Sequence, residues 1–85
     1  MKIKKAEYID RYRINLHFND GSQKIIDFYP FLKKANNPMT YQFLDVEKFK
    51  KFRIYYGDLI WPRHEMAFSA QSLFEWTSVR AKVPV

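Results

Sequence analysis

The Asn-Asp-Gly loop at residues 19–21 constrains the fold of this chain more than any other short stretch. Over the seven residues before it, large apolar side chains alternate with polar ones, which is typical of a half-buried strand. A three-residue loop with Gly21 left-handed pairs Ile14 with Ile26, whereas a two-residue loop sets Ile14 against Asp27. A slip of one residue turns the apolar face to water, so we predict the three-residue loop and an antiparallel hairpin.

The rest of the chain predicts further short strands and short helices. Strands are expected at residues 2–9, 12–18, 23–28, 52–56 and 59–61, a helical turn at 29–34, and helices at 46–51 and after residue 69. Asp45 and Ser69 each stand where a helix N-cap is needed, with apolar residues around them at the spacing of a hydrophobic staple. Gly57 and Asp58 are expected to form a type II′ turn between the last two strands.

These elements predict an α+β domain with one small antiparallel sheet of about five strands. The element order is β-β-β-α-β-β-α, with two short helices packed on one side of the sheet. Residues 1–80 are expected to form this single domain and residues 81–85 a frayed tail. Aromatic residues make up 19% of the sequence, and their bulk compensates for the small core of so short a chain.

Composition limits the classes of site that the chain can hold. It has no cysteine, which excludes disulfides and thiolate metal sites and favours a reducing compartment. The first ten residues lack the apolar core of a signal peptide, and no apolar run approaches the roughly 20 residues of a membrane span. We therefore expect a cytoplasmic protein without a membrane partner, and the net charge of +6 favours acidic partners.

Residues that carry chemistry are few and scattered. His17 lies on the polar face of the second predicted strand and His64 in a predicted loop, and neither has a second histidine at metal-ligand spacing. The two glycines are both assigned to turns, which leaves none for a phosphate-binding loop. The sequence therefore predicts a protein that is not an enzyme, with no catalytic, cofactor-binding or metal-binding residues.

Four ordered segments together resemble a known family. They are FNDGS with a downstream DF, FLDVEKFKKFRI, IWP and FSAQSLFE, and they run over nearly the whole chain. In this order they resemble the small bacterial family catalogued as domain of unknown function 2442, chiefly through Trp61 and Pro62. The resemblance implies an α+β fold, no known activity, and an antitoxin-like role as partner of a small protein encoded nearby.

Two hypotheses of function follow, and both use the surface. The first is a protein-interaction module, with Tyr41, Tyr55 and Tyr56 as the candidate interaction surface and with a protein partner or a homodimer joined at a sheet edge. The alternative is a basic nucleic-acid-binding or regulatory domain. Its candidate basic patch consists of Lys48, Lys50, Lys51 and Arg53.

Overall fold

The computed structural model describes residues 1–76 and has an α+β fold, as predicted. Its strands are β1 (Ile3–Asp10), β2 (Arg13–Phe18), β3 (Gln23–Asp27), β4 (Arg53–Tyr55), β5 (Asp58–Ile60) and β6 (Ala67–Phe68). Its helices are α1 (Tyr29–Lys34), α2 (Pro38–Tyr41), α3 (Val46–Phe49) and α4 (Ala70–Phe74), with 3₁₀ turns at Gln42–Leu44 and Pro62–His64. The expected tail at 81–85 lies outside the described residues.

The first sheet contains β1, β2 and β3 in chain order, all antiparallel. Ile14 pairs with Ile26, and Gly21 has a φ of 93°, so the predicted three-residue loop and its register are confirmed. The amide of Phe28 donates to the carbonyl of Tyr12 at 2.8 Å, which continues the same register beyond the strands. The alternation of apolar and polar residues therefore decided which face of this hairpin is buried.

The second sheet contains β4, β5 and β6, and its first turn differs from the prediction. Tyr55 pairs with Asp58, so the two loop residues are Tyr56 and Gly57, not Gly57 and Asp58. Both have positive φ, 50° and 85°, which marks a type I′ turn rather than type II′. The strand β6 was not predicted, because its two residues are defined only by pairing with β5.

The division into two three-stranded sheets corrects the prediction of one sheet of about five strands. The start of β1 meets the turn between β4 and β5, where the amide of Ile3 donates to the carbonyl of Gly57 at 2.8 Å. The ammonium of Lys2 donates to the carbonyl of Tyr56 at 3.0 Å. The two sheets therefore meet at this turn but do not form one continuous ladder.

Side-chain caps start three of the four described helices. Asp45 accepts from the amide of Glu47 and Ser69 from the amide of Ser72, so both predicted caps are confirmed. Helix α3 ends at Phe49, earlier than the predicted residue 51. The helical segment at residues 38–44 was not predicted; Asn37, interpreted as a turn residue, caps it by accepting from the amide of Met39.

Trp61 lies at the centre of the core and is fully buried. Its ring centroid lies 5.7–6.1 Å from those of five phenylalanines, namely Phe28, Phe43, Phe49, Phe52 and Phe68. Its indole N–H donates to the carbonyl of Phe49 at 2.7 Å. The Trp-Pro segment therefore both fills the core and provides a hydrogen bond for the last carbonyl of α3.

Lys24 joins β3 to the end of α4. Its half-buried ammonium donates to the carbonyl of Phe74 at 2.8 Å and also to the carbonyl of Trp76. Burial lowers the pKa of Lys24 from its usual value. Because the last carbonyls of a helix lack intrahelical donors, this lysine satisfies the carbonyl of Phe74, the last residue of α4, and fixes the end of α4 against the first sheet.

Candidate interaction surface

Tyr55, Tyr56 and His64 form one exposed aromatic group, which we call the tyrosine surface. Tyr55 is 48% exposed and Tyr56 79% exposed. Their ring centroids are 4.5 Å apart in a T-shaped arrangement, and the rings of Tyr55 and His64 are 5.6 Å apart, also edge to face. Tyr55 therefore contacts both other rings, and the three exposed rings form one connected group instead of isolated side chains.

The backbone beneath the tyrosine surface is held in an unusual conformation. Tyr56, Arg63 and His64 all have positive φ, at 50°, 59° and 56°. Non-glycine residues seldom occupy this region, because the Cβ atom approaches the following carbonyl at a cost of about 1–2 kcal/mol per residue. Such residues persist only where surrounding contacts hold them, and they concentrate at functional sites.

Neighbouring contacts hold both segments in place. The methylenes of Lys2 pack over Gly57, leaving no room for a β-carbon there, and its ammonium binds the Tyr56 carbonyl. In the other segment the guanidinium of Arg63 donates twice to Glu65, at 3.0 and 3.2 Å. The other oxygen of Glu65, Oε1, accepts from the side-chain amide Nε2 of Gln42 at 3.2 Å. The platform therefore sits on a backbone that is fixed before any partner arrives.

Tyr41, the third residue of the predicted interaction surface, is 45% exposed. Its neighbour Gln42 hydrogen-bonds to Glu65, the residue that follows His64 in the chain. Among the ring contacts of residues 1–76, however, none joins Tyr41 to Tyr55 or Tyr56. The three tyrosines are therefore not one cluster, and His64 is the residue that completes the group. The sequence contains no signal for this, because the left-handed backbone at residues 63 and 64 brings His64 to Tyr55.

The candidate basic patch is exposed, but its members differ in their contacts. Lys50 pairs with Glu47 at 3.6 Å and lies 5.4 Å over the ring of Tyr8. Lys48, Lys51 and Arg53 have no ion pair among the described residues. Arg53 and Tyr55 are two residues apart on β4 and so lie on the same face of that strand. Arg53 therefore places a positive charge beside the tyrosine surface.

His17 belongs to a polar network on the open face of the first sheet. Its Nε2 lies 2.8 Å from Oε1 of Glu7, and Asn15 donates to Gln23 at 3.1 Å. The hydrogen bond from His17, followed by the contact with Lys5, lowers the pKa of the Glu7 carboxyl. Within residues 1–76, no three histidines or carboxylates lie close enough to hold a metal ion together. That the protein has no cofactor and no catalytic residues stays a prediction.

An open cleft of about 640 Å³ lies at the far end of β1, lined by Asp10, Arg11, Tyr12, Arg13, Asp27, Tyr29 and Val46. The guanidinium of Arg13 binds Asp10 through two hydrogen bonds of 2.8 Å, which lower the pKa of that carboxyl. Two aspartates therefore balance two arginines, and the cleft has no excess charge. Its apolar wall is the stacked pair Tyr12 and Tyr29, with ring centroids 5.5 Å apart.

The comparisons with known proteins confirm the family that the sequence resembles. A family model described as "Protein of unknown function (DUF2442)" matches residues 3–78. No curated protein and no solved structure matches the chain. The structure adds that no helix among residues 1–76 has the length and apolar character needed to cross a membrane.

Proposed function

The chain belongs to the DUF2442 family, and we propose that it is a protein-interaction module without catalytic activity, which recognises its partner through the tyrosine surface. The observation that carries this proposal is the pair Tyr55 and Tyr56, two exposed rings in mutual contact on a turn whose backbone is pinned by Lys2. Because Tyr55 is 48% and Tyr56 79% exposed, these rings bury only part of their apolar surface in the domain itself. Their presence on a fixed turn indicates a use in binding.

Tyrosine suits such a surface for physical reasons. It offers a large amphipathic contact area with few rotatable bonds, so little side-chain entropy is lost when a partner covers it. Tyrosine is accordingly enriched in interfaces and among the residues that dominate binding energy. The fixed turn adds to this advantage, because a loop that is already ordered loses little conformational entropy when it binds.

We propose an acidic protein as the partner. The chain has a net charge of +6, and Arg53 lies on the same strand face as Tyr55. Positive charge beside an aromatic platform favours encounter with a negatively charged surface and contributes mainly to the association rate. The antitoxin-like pairing with a small protein encoded nearby, which the family resemblance implies, is the form of this role that we propose first.

The test uses variants that keep the fold and remove the rings. Tyr56→Asn places an Asn-Gly pair in the type I′ turn, where that pair is favoured, and Tyr55→Thr places a β-branched residue, which favours strands, in β4. The partner is captured from native lysate, purified, and titrated by calorimetry. We expect the double variant to weaken binding by roughly 30-fold or more, the loss typical of central interface residues.

Tyr29→Ser is the matched control, because Tyr29 is a comparably exposed tyrosine at the other end of the molecule. It stacks on Tyr12 beyond the end of β1, whereas Lys2 holds the tyrosine surface at the start of that strand, about 25 Å away. An unchanged affinity in the double variant, or an equal loss in Tyr29→Ser, would remove the tyrosine surface from the interface.

Nucleic-acid binding is the second candidate, and it is favoured by the exposed Lys48, Lys51 and Arg53. Binding of this kind weakens linearly with the logarithm of salt concentration, with a slope of about −0.7 to −0.9 per phosphate contact. A fluorescent oligonucleotide, single- or double-stranded, tests it by anisotropy between 50 and 200 mM salt. Each of Lys48→Ala and Lys51→Ala is then expected to reduce the slope by about one contact. A salt-independent signal, or no binding at 50 mM, would reject this role.

A further inference from the structure

The outer edge of β3 has unpaired backbone groups within residues 1–76. The backbone amide of Phe28 donates to the carbonyl of Tyr12, and the backbone amide of Phe18 donates to the carbonyl of Ser22. In this register the backbone groups of β3 that bond to β2 therefore belong to the even-numbered residues. In an antiparallel ladder the alternate residues point the other way. The amide and carbonyl groups of Gln23, Ile25 and Asp27 are therefore directed at the open edge. We call these three residues the β3 edge.

The β3 edge lacks the features that usually protect a sheet edge. It contains no proline and no bulge, and Ile25 is 59% exposed. A lysine charge often protects a sheet edge, but the ammonium of Lys24 is bound to the end of α4 instead. By contrast, β1 at the opposite edge has two register irregularities, and Gly57 accepts the amide of Ile3. The two edges of the first sheet thus differ, because β3 is regular and open to pairing with another strand whereas β1 is irregular.

The sequence of the β3 edge is complementary to itself. If two copies lie antiparallel with Ile25 on the twofold axis, Ile25 faces its own equivalent, and Gln23 faces Asp27 of the second copy. The exposed isoleucines then contact each other, and each Gln23 amide faces a carboxylate. The three residues of each copy exchange about six backbone hydrogen bonds. No like charges oppose one another at this register, since Gln23, Ile25 and Asp27 include only one charged residue.

We propose that the β3 edge pairs with the β3 edge of a second copy of this chain, forming a symmetric dimer with a continuous six-stranded sheet. A twofold interface of this kind uses the same surface on both subunits and closes on itself. This interface is separate from the tyrosine surface, which lies on the second sheet. The dimer would therefore present two tyrosine surfaces, one on each copy. Each of the two proposals can fail without the other.

Cysteine crosslinking tests the register, because the native chain has no cysteine. Directly opposed residues in a hydrogen-bonded pair have Cα atoms about 5.5 Å apart, inside the range of about 4.4–6.8 Å that a disulfide needs. Ile25→Cys is therefore expected to form a disulfide dimer under mild oxidation. Gln23→Cys is the matched control, since the two copies of residue 23 would lie about 14 Å apart along the strands.

Charge substitution tests the same register without oxidation. Gln23→Lys places an ammonium against Asp27 of the second copy and is expected to tighten the dimer, whereas Gln23→Glu is expected to loosen it. Two symmetry-related pairs worth about 0.2–1 kcal/mol each give a change of about 2- to 30-fold in the dimer dissociation constant. General repulsion between chains of charge +6 predicts the opposite order. Sedimentation velocity over a concentration series measures the constant.

Ile25→Lys is expected to abolish the dimer, and Ile9→Lys is its control. Ile9 is also an exposed isoleucine of the first sheet, on the opposite edge, and it receives the same charge. A native protein that remains monomeric at every concentration overturns the proposal. So does a dimer that survives Ile25→Lys, or disulfide formation that is equal at residues 23 and 25. A dimer lost in Tyr55→Thr but kept in Ile25→Lys would assign self-association to the tyrosine surface instead.

Discussion

Replacement of Trp61 by phenylalanine tests how the core and α3 depend on each other. The indole of Trp61 is fully buried, and its N–H is the donor to the carbonyl of Phe49, the last residue of α3. Phenylalanine keeps an aromatic ring but removes the donor. Because Phe49 is also fully buried, its carbonyl would then lack a protein partner in an apolar environment.

The expected loss in the free energy of unfolding follows from the carbonyl oxygen of Phe49, which loses its donor. A buried carbonyl left without a donor costs about 1–3 kcal/mol, and the smaller ring leaves a cavity that adds to the loss. A domain of 85 residues is stable by only about 4–13 kcal/mol in total. For a chain of this size each kcal/mol lowers Tm by about 4–8 °C, so the missing hydrogen bond alone predicts a fall of about 4–24 °C.

Urea denaturation followed by far-UV circular dichroism measures the loss, with Trp76→Phe as the control. Trp76 is half-buried, and its indole N–H makes no hydrogen bond with residues 1–76. Chemical synthesis of the chain with β-(3-benzothienyl)alanine at position 61 separates the hydrogen bond from the cavity, because sulfur replaces the N–H in a ring of similar size. Full stability with this isostere would refute the reasoning, since it would show that the Phe49 carbonyl needs no donor.

Two further predictions concern the turns and the exposed carboxylates. Gly57→Ala and Gly21→Ala both force alanine to positive φ at a cost of about 1–2 kcal/mol, but a β-carbon at Gly57 would also clash with Cδ of Lys2. Thermal denaturation should therefore show the larger loss for Gly57→Ala, and equal losses would mean that Lys2 moves aside freely. The pKa values of Glu7 and Asp10 are lowered in the folded protein, so their stabilising contribution is present above their unfolded pKa values and is lost as pH falls through the folded ones. Tm should therefore fall as the pH is lowered through the acidic range, by less in Glu7→Gln, and an identical fall in that variant would contradict the assignment.

Local signals in the sequence are sufficient to predict the first hairpin and the starts of two helices. The alternation before residue 19 allowed only one register that buried Ile14, and Gly21 supplied the left-handed residue that this register needs. Asp45 and Ser69 cap helices through contacts two or three residues away. Interactions of such short range depend little on the rest of the fold, which is why the sequence predicts them correctly.

Features that depend on distant contacts were not predictable in the same way. The sequence predicts the turn at Gly57 and Asp58, because glycine suits the positive φ of the first loop position. In the structure Tyr56 takes that position, and its contact with Lys2 helps to hold the observed turn. The arrangement of the two sheets also depends on a distant contact, since the amide of Ile3 donates to the carbonyl of Gly57, far along the chain. Tyr55 and Tyr56 were predicted as candidates for binding, but their partner His64 was not, because a three-dimensional contact alone reveals it.

The bond between Lys2 and the Tyr56 carbonyl spans 54 positions along the chain. Closure of so long a segment is entropically slow compared with the formation of local hairpins and caps. During synthesis on the ribosome, the support beneath Tyr56 can form only after both Lys2 and Tyr56 have emerged. A nascent chain therefore has no finished tyrosine surface until Lys2 and Tyr56 have met, and binding of the proposed partner waits for that contact.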